Sequence, residues 1–128
     1  MKPEATAYLA KAKELRDRAP DLLSKSFSDE AGRAAYLAGF HVAQALIFEK
    51  AGRTPKTHSG VQTEFARLTK DEPAIDSELR AFLGRAYNLK AIADYETGPG
   101  SNVTHDQAEA AIFAARRFVA EIEKLIGS

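Results

Sequence analysis

The segment from residue 31 to residue 48 is apolar on almost every side, and this feature restricts the possible folds most. A helix on a protein surface has one apolar stripe, whereas a helix that is apolar all round has to be surrounded by other elements. We therefore predict a central helix from an N-cap at Ser28 to about Ala51, with Gly52 as its C-terminal cap. Gly39 costs about 1 kcal/mol of helix propensity relative to alanine. Close packing of a neighbouring helix is a plausible compensation.

The remaining segments also follow the helical period, and no stretch shows the sustained alternation of a β-strand. Four more helices are predicted: Pro3 to about Arg18, His58 or Ser59 to about Leu68, about Ala74 to Thr97, and a last helix after Thr104, which forms a capping box with Gln107. Ala19-Pro20 is expected to end the first helix, and the strongest break is Gly98 to Asn102. The predicted fold is all-α, an up-and-down helical bundle of four long helices plus a short extra helix, in a single domain over residues 1–128.

Composition excludes several classes of function. Eighteen basic residues balance eighteen acidic residues, so the summed charge gives no long-range attraction to nucleic acid or to an anionic membrane. The absence of cysteine excludes disulfides and thiolate metal sites, and no apolar run approaches the length of a membrane span. His41, His58 and His105 lie in separate segments, so we expect no metal and no cofactor. Residues 1–4 lack the apolar core of a signal peptide, and we expect a cytoplasmic protein.

A compact group of polar side chains lies near the end of the predicted fourth helix. Lys90 and Asp94 are four residues apart and share a helix face, Tyr87 lies one turn before Lys90, and Tyr95 follows Asp94. An ordinary surface ion pair with packed tyrosines is one interpretation of this group. A binding or catalytic site is the other, and Arg33 on the central helix is a further candidate for contacting phosphate.

Three phrases of the sequence, in this order, resemble the small bacterial and archaeal HEPN proteins, named after higher eukaryotes and prokaryotes nucleotide-binding. The stretch from residue 31 to residue 50 resembles the second helix of that family. Residues 55–61, Pro-Lys-Thr-His-Ser-Gly-Val, resemble the phrase that follows this helix, and Ala93-Asp94-Tyr95 resembles a phrase on the penultimate helix. With the last helix, the resemblance covers roughly residues 30 to 126, which makes it far more specific than one helical motif.

The resemblance implies a helical bundle that forms a homodimer and is often paired with a minimal nucleotidyltransferase as a toxin and antitoxin. Catalytic relatives are metal-independent ribonucleases that carry an arginine and, four to six residues later, a histidine on the penultimate helix. This chain has Lys90 at the arginine position and no histidine after it. Arg53 and His58 have a similar spacing, but a proline-containing loop separates them, so we interpret the match as chance. His58 is expected to cap or begin the third helix.

Three functions follow as hypotheses. The first is a HEPN-type nucleotide- or partner-binding module that uses Lys90, Tyr87 and Arg33, in one half of a pair with a minimal nucleotidyltransferase. An alternative is a metal-independent ribonuclease toxin at a dimer cleft, with Lys90, Asp94 and Tyr95 as candidate catalytic residues and Asp94 as the base. A second alternative is a structural dimerisation module whose polar group fixes helix register.

Overall fold

Five α-helices and short connections make up the part of the chain that the computed structural model describes, which is residues 1–95, 97 and 102–127. The helices are α1 (Pro3–Ser24), α2 (Ser28–Ala51), α3 (His58–Thr69), α4 (Ser77–Tyr95) and α5 (His105–Ile126). No strand occurs in these residues, and α3 is the short helix, with 12 residues. The predicted all-α bundle of four long helices plus one short helix is confirmed.

Helix α2 is the centre of the bundle, as predicted, and it contacts each of the other four helices. Gly39 allows α4 to pack closely against α2, because a Cβ atom at this position would overlap the ring of Phe82 on α4. That ring in turn stacks on Phe118 of α5, with the ring centroids 4.7 Å apart. At the end of α2, Gly52 has a left-handed φ of 76° and donates its N–H to the carbonyl of Phe48. The predicted glycine cap is confirmed.

Helix α1 continues past the point where proline was predicted to end it. Pro20 lies inside α1, which extends to Ser24. A proline costs the helix one N–H bond near its end, whereas Leu22 and Leu23 in the last turn pack against the core. Burial of these side chains offsets the missing bond. The chain reverses only at Ser26, which has a positive φ of 64°.

Helix α4 is shorter than predicted at both ends. Its first residue is Ser77 rather than Ala74, because the Asp76 carboxylate accepts a hydrogen bond from the Leu79 N–H at 2.9 Å and so caps the first turn. Its last residue is Tyr95, and Thr97 is not helical. The predicted break at 98–102 lies outside the described residues, except for Asn102, which is in a bend.

The start of α5 has the predicted capping box, in which Thr104 Oγ1 accepts from the Gln107 N–H and Gln107 Oε1 accepts from the Thr104 N–H. Just before it, the N–H of Val103 donates to Asp29 Oδ1 at 2.7 Å. This bond attaches the α5 entry to the first turn of α2, whose N-cap is Phe27, one residue before the predicted Ser28. Among the described residues, no helix is both long enough and apolar enough to cross a membrane.

Candidate functional site

Lys90 and Asp94 form the ion pair that their spacing on α4 allows. Lys90 Nζ lies 2.7 Å from Asp94 Oδ2, and Lys90 is only 8% exposed. The hydrogen bond to Asp94 raises the pKa of Lys90, although burial acts in the opposite direction. The ammonium also lies 5.2 Å from the ring centroid of Tyr95, a cation–π contact. Lys90 is therefore a buried cation held at its charged end, not an ordinary surface lysine.

Arg33 of α2 contacts the other oxygen of the same carboxylate. Its Nε lies 3.3 Å from Asp94 Oδ1, and its side chain is half exposed. Arg33, Lys90 and Asp94 are called the ion cluster below. Two cations and one carboxylate leave this cluster with a surplus of one positive charge. The ion pair is made through Nε, and within the described residues the Nη atoms of Arg33 have no ion-pair or hydrogen-bond partner, so this edge of the guanidinium can contact an anion.

Four aromatic rings pack together beside the ion cluster and are called the aromatic wall: Tyr36, Phe40, His58 and Tyr87. Tyr36 is fully buried, and its ring centroid lies 5.6 Å from Tyr87 and 5.5 Å from His58. The centroid of His58 lies 4.9 Å from Phe40 and 5.2 Å from Tyr87. Burial raises the pKa of Tyr36 to about 12, so its hydroxyl stays neutral at physiological pH.

The spacing of the site residues is the same on the two helices that carry most of them. On α2, residues 33, 36 and 40 follow one another at intervals of three and four, and on α4 residues 87, 90 and 94 do so too. Intervals of three and four keep side chains on one face of a helix. The two stripes face each other, so Arg33 forms an ion pair with Asp94 and the ring of Tyr36 packs against the ring of Tyr87.

His58 is the residue that sequence reasoning left out of the site. It begins α3, as expected, but the N-cap is Thr57, whose side chain accepts from the Gly60 N–H. The imidazole instead forms a 2.7 Å hydrogen bond between Nδ1 and the Tyr36 hydroxyl. Burial lowers the pKa of His58, Lys90 lowers it further, and Asp94 acts in the opposite direction. His58 thus lies within electrostatic range of the ion cluster.

The spacing of residues on one helix could not predict that His58 lies at the site, because a short loop brings it there. The one available signal is the short connection from Gly52 to Thr57, which returns the chain close to α2. Arg53, in the same loop, lines a different cleft, near Glu64 and Arg67. The spacing of Arg53 and His58 therefore does not form an arginine–histidine pair at the site.

The other two histidines lie elsewhere. His41 on α2 is half-buried, and its Nδ1 forms a hydrogen bond with Gln44 Oε1 at 2.9 Å. His105 is exposed at the start of α5. Within the described part of the chain, no group of three or more His, Asp or Glu side chains is arranged to hold a metal ion.

Comparisons with known proteins agree with this fold. The family model described as HEPN domain matches residues 5–125, so the chain belongs to the HEPN domain family. Two relatives come from the archaeon Methanocaldococcus jannaschii. "Putative toxin MJ0605" is 32% identical over 98% of this chain and 91% of that protein. "Putative toxin MJ0142" is also 32% identical, over 74% of this chain and 64% of that protein. The family resemblance of the three sequence phrases is confirmed.

Proposed function

We propose that this chain is a HEPN toxin-like module that binds the phosphate of a nucleotide or of RNA at the ion cluster. The observation that carries the proposal is the surplus positive charge of Arg33 and Lys90 over Asp94 in a partly buried site. A cation in such a site interacts more strongly with phosphate than a fully solvated one does. The names of the two archaeal relatives support the toxin part of the proposal.

Each member of the ion cluster has a separate role in this proposal. Lys90 supplies a fixed point charge, since Asp94 and the ring of Tyr95 hold its ammonium. Arg33 supplies the paired donors of its Nη edge, which fit two oxygens of one phosphate. Tyr95 is 68% exposed and offers a face on which a base can stack. Tyr87 closes the inner side of the site through its contacts with Tyr36 and His58.

The proposal extends to partners. The module acts as a homodimer and as one half of a pair with a minimal nucleotidyltransferase in the cytoplasm. Light scattering is expected to give twice the mass of the chain, and co-expression with an adjacently encoded nucleotidyltransferase is expected to give a stable complex. A monomer at micromolar concentration would contradict the first expectation, and separate elution of the two proteins the second.

Phosphate binding is tested with a labelled single-stranded RNA that carries 2′-O-methyl groups, so that it cannot be cleaved. Lys90→Gln and Arg33→Gln are each expected to weaken binding by about tenfold or more, because charge-assisted hydrogen bonds to phosphate are lost. ATP is the competitor, and its ability to displace the RNA distinguishes a phosphate site from a site for longer RNA.

Matched controls exist on two other helices. Lys124 pairs with Glu121 on α5 and Arg18 pairs with Glu14 on α1, both on exposed surfaces. Lys124→Gln and Arg18→Gln remove the same charges and are expected to leave binding unchanged. Equal losses in all four variants would mean that only net charge matters and would contradict a specific site. No binding by the wild type would exclude the proposed function.

The structural alternative predicts a different result in the same variants. If Lys90 and Asp94 only fix helix register, Lys90→Gln changes stability or oligomeric state, and no RNA or nucleotide binds to the wild type. Growth arrest on expression, relieved by Lys90→Gln, supports the toxin-like module over this alternative.

A further inference from the structure

A second cleft lies away from the ion cluster, at the C-terminal end of α2. Its walls are the last turns of α2, the connection that follows Gly52 and one face of α3, and the residues that matter here are Ile47, Ala51, Arg53, Pro55, Glu64 and Arg67. Its volume is about 590 Å³, which is within the range of small-molecule pockets. Arg33 and Ala51 are on the same helix and roughly 27 Å apart along its axis, at a rise of about 1.5 Å per residue. The cleft is therefore separate from the proposed phosphate site.

The connection that forms one wall of the cleft is attached to both helices. On the α2 side, Gln44 Nε2 donates a hydrogen bond to the Pro55 carbonyl at 3.4 Å. On the α3 side, the Pro55 ring packs over Gly60, where an added Cβ atom would lie 2.8 Å from Pro55 Cβ. The fold itself thus forms the cleft, and a ligand does not have to order a loose loop before it binds.

Two arginines and one glutamate give the cleft a surplus of one positive charge. Glu64 Oε1 accepts hydrogen bonds from both Nε and Nη2 of Arg67, so the protein orients this guanidinium. Arg53 is exposed and has no ion pair or hydrogen bond within the described residues. The hydrogen bonds from Arg67 lower the pKa of Glu64, and the nearby charge of Arg53 lowers it further. Arg67 Nη1 and the whole guanidinium of Arg53 are the donors that an anion can use.

We propose that this cleft binds a small organic acid whose carboxylate lies between the guanidinium groups of Arg53 and Arg67. The hydrocarbon part of the acid packs against Ile47, Ala51 and Pro55, which line the same cleft. This site is independent of the proposed function, since it shares no residue with the ion cluster.

The charge of the cleft favours a carboxylate over a phosphate. One carboxylate neutralises the surplus of one positive charge, whereas a phosphate monoester carries a charge of about −1.5 to −2 at pH 7. A carboxylate also accepts paired hydrogen bonds from the planar fork of an arginine. The apolar lining adds selectivity, because it favours an acid with a hydrocarbon part over acetate or another fully polar anion.

Phenylacetate is the probe, because it combines one carboxylate with one ring. Binding is followed by two-dimensional NMR of the ¹⁵N-labelled protein. The amide signals of Gly52 and Gly60, which border the connection, are expected to shift and to saturate at roughly millimolar phenylacetate, as is usual for a ligand of this size. Phenylacetamide keeps the ring without the charge, and acetate keeps the charge without the ring. Each is expected to bind at least about tenfold more weakly than phenylacetate.

The decisive variants are Arg53→Gln and Arg67→Gln. Each is expected to weaken phenylacetate binding by about tenfold or more, because charge-assisted hydrogen bonds to the carboxylate are lost. Lys56→Gln is the matched control, since Lys56 is an exposed cation of the same connection that does not line the cleft, and its binding is expected to be unchanged. Ala51→Leu keeps every charge but fills part of the cleft, so it is also expected to weaken binding. It serves as the test if an arginine variant does not fold.

Several outcomes would overturn this inference. The first is that phenylacetate shifts neither glycine signal. Equal losses in Arg53→Gln and Lys56→Gln would show that only the net charge of the connection matters. If Arg53 only complements the negative end of the α2 dipole, Arg53→Gln lowers stability and the wild type binds no acid.

Two further probes test the class of ligand. Tighter binding of phenyl phosphate than of phenylacetate would contradict the carboxylate, and tighter binding of a short peptide with one aspartate would indicate a protein partner instead of a small acid. Because RNA binding at the ion cluster is measured separately, either proposal can fail without the other.

Discussion

Two aromatic clusters pack against α2, and they differ in whether their rings have polar groups. Phe65, Phe82 and Phe118 form one cluster, made only of hydrocarbon and placed where Gly39 lets α4 approach α2. The other is the aromatic wall, in which phenol and imidazole groups face an ion cluster. Both bury large rings, but only the second offers donors, acceptors and charge. We therefore expect the phenylalanine cluster to contribute mainly to stability, and the aromatic wall with the ion cluster to contribute mainly to the proposed binding.

The largest effect is expected at Phe118, whose side chain is fully buried between two other rings. Phe118→Ala is expected to lower the free energy of unfolding by about 3–5 kcal/mol, because it removes the ring and leaves a cavity. Urea denaturation gives the value. Phe113 lies on the same helix and is 76% exposed, so Phe113→Ala is expected to change stability by less than about 0.5 kcal/mol. Equal effects of the two substitutions would contradict the assignment.

The second effect concerns the close approach that the phenylalanine cluster requires. Gly39→Ala gains about 1 kcal/mol of helix propensity, but the new methyl group overlaps the buried ring of Phe82. Overpacking of this kind costs about 1–3 kcal/mol, so a net destabilisation is expected by thermal unfolding.

Gly84 on α4 provides the control for Gly39, since an added Cβ there meets nothing within 4 Å. Gly84→Ala is expected to raise stability by up to about 1 kcal/mol. A stabilising Gly39→Ala would show that the Phe82 ring moves aside easily, and the phenylalanine cluster would then be less rigid than its packing indicates.

Much of the fold could be predicted because most of its information is local. The period of apolar residues predicted every helix, the threonine at 104 predicted a capping box, and a glycine predicted the end of α2. The predicted end of α1 at Ala19-Pro20 was wrong. Local propensity favours a break at Pro20, but the packing of Leu22 and Leu23 favours a longer helix. Ala74 was a wrong start for α4, because the side-chain cap of Asp76 was not recognised.

Less of the candidate site could be predicted because it depends on contacts between elements. The contact between Lys90 and Asp94 follows from spacing on one helix. Arg33 was singled out, but its contact with Asp94 requires α2 and α4 to face each other. His58 was set aside, since the short connection from Gly52 to Thr57 indicates a return toward α2 but does not identify Tyr36 as the contact. A search for matching stripes at three- and four-residue intervals on different helices is a signal that could have found the facing pair.

The third effect tests the hydrogen bond that distinguishes the aromatic wall from the phenylalanine cluster. Tyr36→Phe keeps the buried ring but removes the partner of His58 Nδ1. We expect a loss of about 0.5–1.5 kcal/mol in stability, the usual net value of one hydrogen bond. Tyr8→Phe is the control, since the hydroxyl of Tyr8 has no hydrogen bond within the described residues.

The smallest expected effect is on stability between pH 7 and pH 5. Burial lowers the pKa of both His41 and His58 below the usual 6.5, so the folded state favours their neutral forms. In the unfolded chain each histidine binds a proton as the pH falls through 6.5, whereas in the folded chain it binds one only at lower pH. Stability is therefore fully present above about pH 7 and declines as the pH falls from 6.5 through the lowered pKa values.

Replacing each histidine separately divides this pH dependence between the two regions of the molecule. His58→Gln removes the contribution of the aromatic wall to the pH dependence of stability. His41→Gln removes the contribution of the histidine that pairs with Gln44. Denaturation midpoints measured at pH 7 and pH 5 are expected to converge partly in each variant and most closely in the double variant, since carboxylates with lowered pKa values act mainly below this range. If His58→Gln leaves the pH dependence of stability unchanged, burial does not lower the pKa of His58. The aromatic wall and the phenylalanine cluster would then not differ in the way that this prediction assumes.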